Sequence, residues 1–187
     1  MENRSQSGAF LIEVLVATLM LSLGVLPLVA MMTFAVQMPK LAGYRATAVN
    51  LASNYVERMR ANPANPANPA GLAQLFPYGA KDSSYDGTQD AIGVPGSLCN
   101  YPDCETATLV TRDVYEMQVA ARRELPAGGI VVSCDVGDCS NGIGNLWVMW
   151  QEPDSFDALS PSSSDNCPTG VASTDPNPRC LYVRFKL

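Results

Sequence analysis

The sequence predicts an α+β fold, in which a long, kinked N-terminal helix packs on a small antiparallel β-sheet with disulfide-rich loops. Three observations predict it. The chain is almost entirely apolar from Ala9 to Ala35, which is long enough to cross a bilayer as a helix. An amphipathic helical pattern then continues to about Arg60. Three short β-rich runs and all six cysteines lie in the second half of the chain.

The apolar segment is predicted to be a single membrane span. It is longer than the apolar region of an ordinary secretory signal, and no A-x-A-like cleavage site follows it between residues 31 and 42. A short polar segment, Met1 to Gly8, precedes it and carries one basic residue, Arg4. We therefore expect the amino end in the cytoplasm and the bulk of the chain on the other side of the membrane.

The helical pattern changes character along its length. Gly24 with Pro27, and Pro39 with Gly43, interrupt the pattern, so kinks or local melting are expected at both places. Beyond them, large apolar residues recur at helical spacing with polar residues on the other faces, which indicates a helix lying on a domain. The apolar positions are Tyr44, Ala48, Leu51, Tyr55 and Met59.

Glu13 is the one charged residue within the apolar segment. A carboxylate in a spanning helix is costly, so such residues usually have a specific partner. One interpretation places Glu13 at the headgroup level, where its side chain reaches water. The other begins with a cut after Gly8, which would leave a positive amino group on Ala9. Glu13 of one subunit would then pair with the Ala9 amine of its neighbour in an apolar filament core.

The segment from Gly8 to Ala17, GAFLIEVLVA, resembles the leader of type IV prepilins and type II secretion pseudopilins. The resemblance implies that a prepilin peptidase cuts between Gly8 and Ala9 and N-methylates Ala9, and that Glu13, the fifth mature residue, guides assembly. The chain departs from the family at Ala9, where phenylalanine is usual. A cut before Phe10 would put Glu13 at the fourth position, which fits the family less well.

Three further segments resemble PilV-type minor pilins: ERMRANP after Val56, ELPAGG from Glu124 to Gly129, and the strand from Leu146 to Glu152. The resemblance implies a pilin-like fold with a leader at 1–8, a helix at 9–61 and a periplasmic or extracellular head at 62–187. It also implies a minor pilin that initiates pilus assembly and forms a tip complex, serving biogenesis, twitching motility and adhesion. The implied partners are other minor pilins, the major pilin, the prepilin peptidase, the inner-membrane assembly platform and a tip adhesin. The subunit would leave the inner membrane for the fibre.

The rest of the chain is predicted from its own pattern. A tandem Asn-Pro-Ala repeat at 62–70 ends the long helix, and a long loop covers 72–103. Apolar residues at helical spacing between Leu109 and Leu125 predict a short helix, with an alternating strand as the alternative. Three strands are predicted to form an antiparallel sheet, with one face exposed to solvent and the other packed on the long helix. They span Ile130 to Cys134, Leu146 to Gln151, and Leu181 to Leu187.

The six cysteines predict disulfides in an oxidising compartment, with reduced, buried cysteines as the alternative. Pairing cysteines that are neighbours in the chain, which closes short loops, would join Cys99 to Cys104, Cys134 to Cys139 and Cys167 to Cys180. This is one of about fifteen connectivities. The two C-x4-C pairs are also compatible with a zinc site at the outer limit of spacing, although an exported chain makes this unusual.

The composition argues against an enzyme and against a nucleic-acid groove. Histidine is absent, so the common catalytic triads and histidine-containing metal sites are excluded, and no cofactor or metal is expected. The net charge of -6 comes without a basic cluster apart from two pairs, Arg58 with Arg60 and Arg122 with Arg123. Three alternatives remain: a minor pseudopilin of type II secretion, a membrane-anchored enzyme, and an adhesive or DNA-capturing surface module.

Overall fold

The computed structural model describes residues 7–62, 85–96, 98–100, 102–135, 142–152, 166–168 and 178–187. Their fold is α+β, as predicted, and the chain divides into two compact units, Met1–Ala42 and Gly43–Leu187. We call the second unit the head. The described elements, in chain order, are helix α1 (Ser7–Ala61), helix α2 (Thr106–Glu124), and strands β1 (Gly129–Cys134), β2 (Ile143–Trp150) and β3 (Arg179–Lys186).

Helix α1 runs through both prolines without a break. It begins at Ser7, includes Pro27 and Pro39, and ends at Ala61, directly before the Asn-Pro-Ala repeat. The local melting expected at the prolines is therefore wrong. A proline removes one backbone hydrogen bond, and the bonds of the neighbouring turns are enough to keep the segment helical. The kinks remain a prediction.

The described residues of the head share a hydrophobic core, to which α1, α2 and the sheet all contribute. The sequence predicts that the helix packs on the sheet, and α2 joins them as a third component. Tyr55, Met59, Leu125 and Leu146 are among the largest side chains that are fully buried. The core residues that α1 contributes repeat at every turn, each with another three or four positions along, as expected for one helix face: Ala48, Leu51, Ala52, Tyr55, Val56 and Met59.

The three strands form an antiparallel sheet in the order β1-β2-β3. Val132, Leu146 and Val183 lie opposite one another on the core face, and Phe185 is buried on the same face. The predicted alternation along β3 is therefore confirmed. Strand β2 begins at Ile143 and β3 at Arg179, two or three residues earlier than predicted, because glycine and polar residues at their starts weaken the β pattern.

The second face of the sheet is less open than the sequence predicts. Met149 is fully buried there, although its neighbours Val148 and Trp150 face the core. The indole N–H of Trp147 donates a hydrogen bond to the carbonyl oxygen of Asn166 at 2.7 Å, and its ring lies 5.3 Å from that of Tyr182. Parts of this second face are thus covered, and the expectation that it is exposed to solvent is wrong around these residues.

Helix α2 is confirmed, and the alternating strand is excluded. The turn after it is tight: the Leu125 N–H donates to the Ala121 carbonyl, and Ala127 has a φ of 47°. A Cβ atom on Gly128 would lie 1.9 Å from the Ala121 carbonyl oxygen. This position therefore requires glycine, which explains one residue of the ELPAGG segment.

A buried arginine holds the segment after residue 84 against the end of α2. Arg122 is only 5% exposed, and its guanidinium donates to the Asp86 carboxylate at 2.8 Å and to the Thr88 carbonyl. Partial burial raises the pKa of Asp86, but hydrogen bonds from Arg122 and Thr88 outweigh it and leave that pKa below its usual value. Within the described part of the predicted 72–103 loop there is no helix or strand.

The cysteines that the structure describes are all oxidised. Cys99 is bonded to Cys104 and Cys167 to Cys180, as the pairing of neighbouring cysteines predicts. These bonds exclude reduced thiols and zinc ligation at the four positions. Cys134 is also disulfide-bonded. Cys139 lies outside the described residues.

Two ion pairs of β3 differ in burial and therefore in their expected contribution. Arg179 donates to Glu152 at 3.2 Å, and their side chains are 16% and 7% exposed. Arg184 pairs with Asp135 at 2.9 Å, with side chains 56% and 34% exposed. Glu152 also accepts a hydrogen bond from the Trp150 indole at 3.2 Å.

We predict that Arg179→Met lowers the free energy of unfolding by about 3 kcal/mol or more, because it leaves the buried Glu152 charge without its partner. The control, Arg184→Met, should change it by less than about 1 kcal/mol, since solvent screens the exposed pair. Urea unfolding of the detergent-solubilised protein, followed by tryptophan fluorescence, measures both. Equal effects of the two substitutions would contradict this assignment of the buried pair.

Candidate functional site

The predicted processing and assembly residues lie at the beginning of α1. Gly8 and Ala9 are in its first turn, and Glu13 follows within the next turn. The side chain of Glu13 is exposed. Among the described residues, no hydrogen bond or ion pair involves the side chain of Glu13. The structure thus presents one carboxylate, without a partner in this part of the chain, close to the bond that the leader resemblance marks for cleavage.

The surface of α1 around and beyond Glu13 is apolar on all sides. Phe10, Leu11 and Ile12 are consecutive in sequence, so they point in different directions, and each is at least 65% exposed. The same holds further along, where Met31 and Met32 are 69% and 71% exposed. The helix is long and apolar enough to cross a membrane. A helix that is apolar on every face is typical of a segment surrounded by lipid or by other protein.

The hydroxyl groups of this segment are satisfied within the helix. Thr18 donates to the Leu15 carbonyl at 2.9 Å, Ser22 to Leu19 at 2.8 Å, and Thr33 to Val29 at 3.0 Å. Such bonds allow a hydroxyl to enter an apolar environment at little cost. Glu13 is the only ionisable residue between Phe10 and Pro39. It is therefore the one charged group of the segment, and it needs a partner in such an environment.

A second cluster of charges joins α1 to α2 within the head. Arg58 of α1 donates to Glu116 at 2.7 Å and lies 3.4 Å from Asp113, both on α2. Arg112 donates to Glu116 at 2.8 Å and to the Cys99 carbonyl at 3.2 Å. We call these four charged residues the α1–α2 ion cluster. It links the long helix to α2 and, through Arg112, to the Cys99–Cys104 loop.

The cluster shifts the pKa of two of its members, Glu116 and Arg58. Hydrogen bonds from Arg112 and then Arg58 hold the pKa of Glu116 below its usual value. The hydrogen bond to Glu116 raises the pKa of Arg58 further above an already high value, so this guanidinium stays charged. Arg58 and Glu116 are thus ionised at neutral pH. The cluster is a structural connection, since its charges are paired with one another.

The described residues contain no group of three or more potential metal ligands. A cavity of about 490 Å³ lies beside the ion cluster, lined by Pro102, Cys104, Leu109, Arg112 and Asp113. Its cysteine is disulfide-bonded, and its two charged residues, Arg112 and Asp113, are paired with Glu116 and Arg58.

Comparison with protein-family models, curated proteins and solved structures finds no match for this chain. The residues and geometry of the chain itself therefore carry the functional argument.

The sequence pattern singled out Gly8, Ala9 and Glu13, and the structure places all three in the first two turns of α1. It did not single out the ion cluster or the buried Arg122. The only available signal was that arginines recur among apolar positions of two predicted helices, and this pattern is equally typical of solvated surfaces. Which arginines are paired depends on tertiary packing.

We predict that the ion cluster contributes less to stability as the solution becomes acidic. The pKa of Glu116 is lower in the folded chain than in the unfolded chain. The stability that Glu116 contributes is therefore fully present at pH values above its unfolded-state pKa, and it is lost as the pH falls through its folded-state pKa. Glu116→Gln should lose at most about 1 kcal/mol at pH 7, because solvent screens this half-exposed group. Its unfolding midpoint in urea should also depend less on pH below about 4.5.

The matched control is Glu57→Gln. Glu57 forms an exposed pair with Arg60 within α1, with side chains 68% and 49% exposed. The Glu57→Gln substitution should leave the pH dependence of the unfolding midpoint as it is in the native chain. The interpretation of the cluster would be contradicted if Glu116→Gln kept the native pH dependence while Glu57→Gln flattened it.

Proposed function

We propose that this protein is a minor pilin of the type IV pilus. A prepilin peptidase cuts it between Gly8 and Ala9 and N-methylates Ala9. The mature subunit then leaves the inner membrane and joins other minor pilins to initiate the fibre and form its tip. In this proposal the protein is not an enzyme, and the chemistry of its maturation belongs to the peptidase.

The observation that carries the proposal is that one helix has two kinds of surface. Its N-terminal part exposes apolar side chains on every face, with the single charge of Glu13 near its start. Its C-terminal part supplies one face of the head's core. A subunit that is first held in lipid and later packed among other helices needs a surface of the first kind, and a head that stays folded through the transfer needs the second.

Processing would create the partner that Glu13 needs. A cut after Gly8 gives Ala9 a positively charged amine, four residues before Glu13. An unpaired carboxylate and an unpaired amine are each costly in an apolar interior, and pairing between neighbouring subunits neutralises both. The Glu13 carboxylate would thus select a position in the fibre where another subunit presents its amine.

The orientation in the membrane is proposed from the leader resemblance. The distribution of basic residues does not favour it, because one basic residue, Arg4, precedes the apolar segment while Lys40 and Arg45 soon follow it. The orientation expected from Arg4 therefore stays a prediction. In the proposed orientation the head lies in the periplasm before assembly, where the disulfides of the head are chemically stable.

We predict that Glu13→Gln inserts into the membrane normally but enters the fibre at less than about a tenth of the native level. The amide keeps the shape of the side chain but cannot neutralise the amine of the neighbour, and leaving a buried charge unpaired costs more than the 1.4 kcal/mol that a tenfold change represents. Immunoblots of sheared fibres and of membranes measure the two pools.

The control is Thr18→Val, which removes a hydroxyl that bonds only to its own helix, at Leu15. It should enter the fibre like the native chain. Native incorporation of Glu13→Gln would remove the charge from the mechanism. If the substitution blocked protein secretion but left pili intact, the protein would instead belong to a type II secretion pseudopilus.

A further inference from the structure

Most basic residues in the described part of the chain are paired with a carboxylate, and Lys40 is an exception. It is exposed, and its side chain takes part in no ion pair or hydrogen bond among the described residues. Arg45 and Lys186 are the other two exceptions. The paired residues are Arg58, Arg60, Arg112, Arg122, Arg123, Arg179 and Arg184.

Lys40 lies at the far end of the apolar segment that begins near Glu13. No other ionisable residue occurs between the two. At about 1.5 Å per residue they are about 40 Å apart along the helix. A bilayer measures about 40 to 45 Å with its headgroup layers. A helix with Glu13 in one headgroup layer therefore places Lys40 in the other.

We propose that Lys40 binds the phosphate of anionic phospholipids in that second headgroup layer while the subunit is in the membrane. This proposal rests on the membrane insertion contained in the proposed function. The ammonium group sits on a flexible four-carbon stem, which can lie along the apolar helix while the charge reaches a phosphate. Anionic headgroups attract basic residues at the membrane surface. The contact would fix the depth of the apolar segment before extraction.

The sequence favours lipid over a second copy of the chain as the partner. No acidic residue occurs from Val14 to Val56, so a neighbouring copy in register offers no carboxylate at the level of Lys40. The nearest acidic residues in sequence are Glu13 and Glu57. In a membrane of parallel subunits, lipid phosphates are thus the anions available to Lys40.

The test uses the full chain reconstituted in phosphatidylcholine vesicles that contain a trace of spin-labelled lipid. Electron paramagnetic resonance measures the fraction of labelled lipid that the protein immobilises. We expect phosphatidylglycerol to be immobilised about fivefold more strongly than phosphatidylcholine at low salt, the factor typical of one basic residue at an anionic surface. Raising the salt to about 1 M should remove most of this preference.

Lys40→Gln should lose most of the preference for phosphatidylglycerol, and Lys40→Arg should keep it. The matched control is Lys186→Gln, which removes another exposed lysine that is unpaired among the described residues but belongs to the head. It should keep the native preference. If Arg45 also contributes, Lys40→Gln combined with Arg45→Gln should remove what remains.

The proposal would be overturned if the native chain immobilised both lipids equally, or if Lys40→Gln and Lys186→Gln behaved alike. Either result would leave membrane insertion intact, because both lipids would still be immobilised. Failure to immobilise any lipid would overturn the membrane part of the proposed function together with this inference. The three outcomes are distinguishable in one set of spectra.

Discussion

The apolar surface of α1 is the constraint on which the rest of the account depends. From Phe10 to Met38 its large side chains are exposed, and the helix passes through two prolines without a break. Each exposed methylene group in water costs about 0.8 kcal/mol, so a surface of this size must be covered by lipid or by other chains. Within the segment, Glu13 is the one ionisable group. The need to cover the surface and the need to neutralise this carboxylate together define what the segment can do.

The head meets a different requirement, since it must remain folded whatever covers the apolar segment. Its core joins α1, α2 and the sheet, and the ion cluster adds a polar connection between the two helices. Arg122 and the Glu152–Arg179 pair hold further segments in place with buried, paired charges. Disulfides restrict the loops before α2 and before β3. These features would keep the head folded during the proposed transfer from the membrane to the fibre.

Much of this fold follows from the sequence because its strongest patterns are local. The apolar segment, the helical spacing before Ala61 and the alternation in β3 each depend on residues close together in the chain, and the structure reproduces them. Three features did not follow. Helix α1 continues through Pro27 and Pro39, β2 and β3 begin before the runs that their β-rich pattern predicts, and the second face of the sheet is partly covered. The last of these depends on Asn166, which is distant in sequence from Trp147.

The residues of the candidate site also differ in how far the sequence predicts them. Gly8, Ala9 and Glu13 form a short motif with fixed spacing, so the sequence is sufficient to propose them. The charges of the head are different, because an arginine at a helical position has the same appearance in sequence whether it is solvated or paired. Arg58 and Arg122 acquire their roles only when residues far away in sequence are brought beside them. Lys40 differs from most other described basic residues because it has no carboxylate partner among them, and only the structure shows this difference.

The central claim is that this chain is processed as a prepilin, and the mature amino terminus tests it most directly. The protein would be purified from cells with and without the prepilin peptidase, and its N-terminal peptide identified by mass spectrometry. The account predicts N-methylated Ala9 as the first residue when the peptidase is present, and an uncut bond between Gly8 and Ala9 when it is absent. An intact Gly8–Ala9 bond in both strains would contradict the account and leave a membrane-anchored domain of another class.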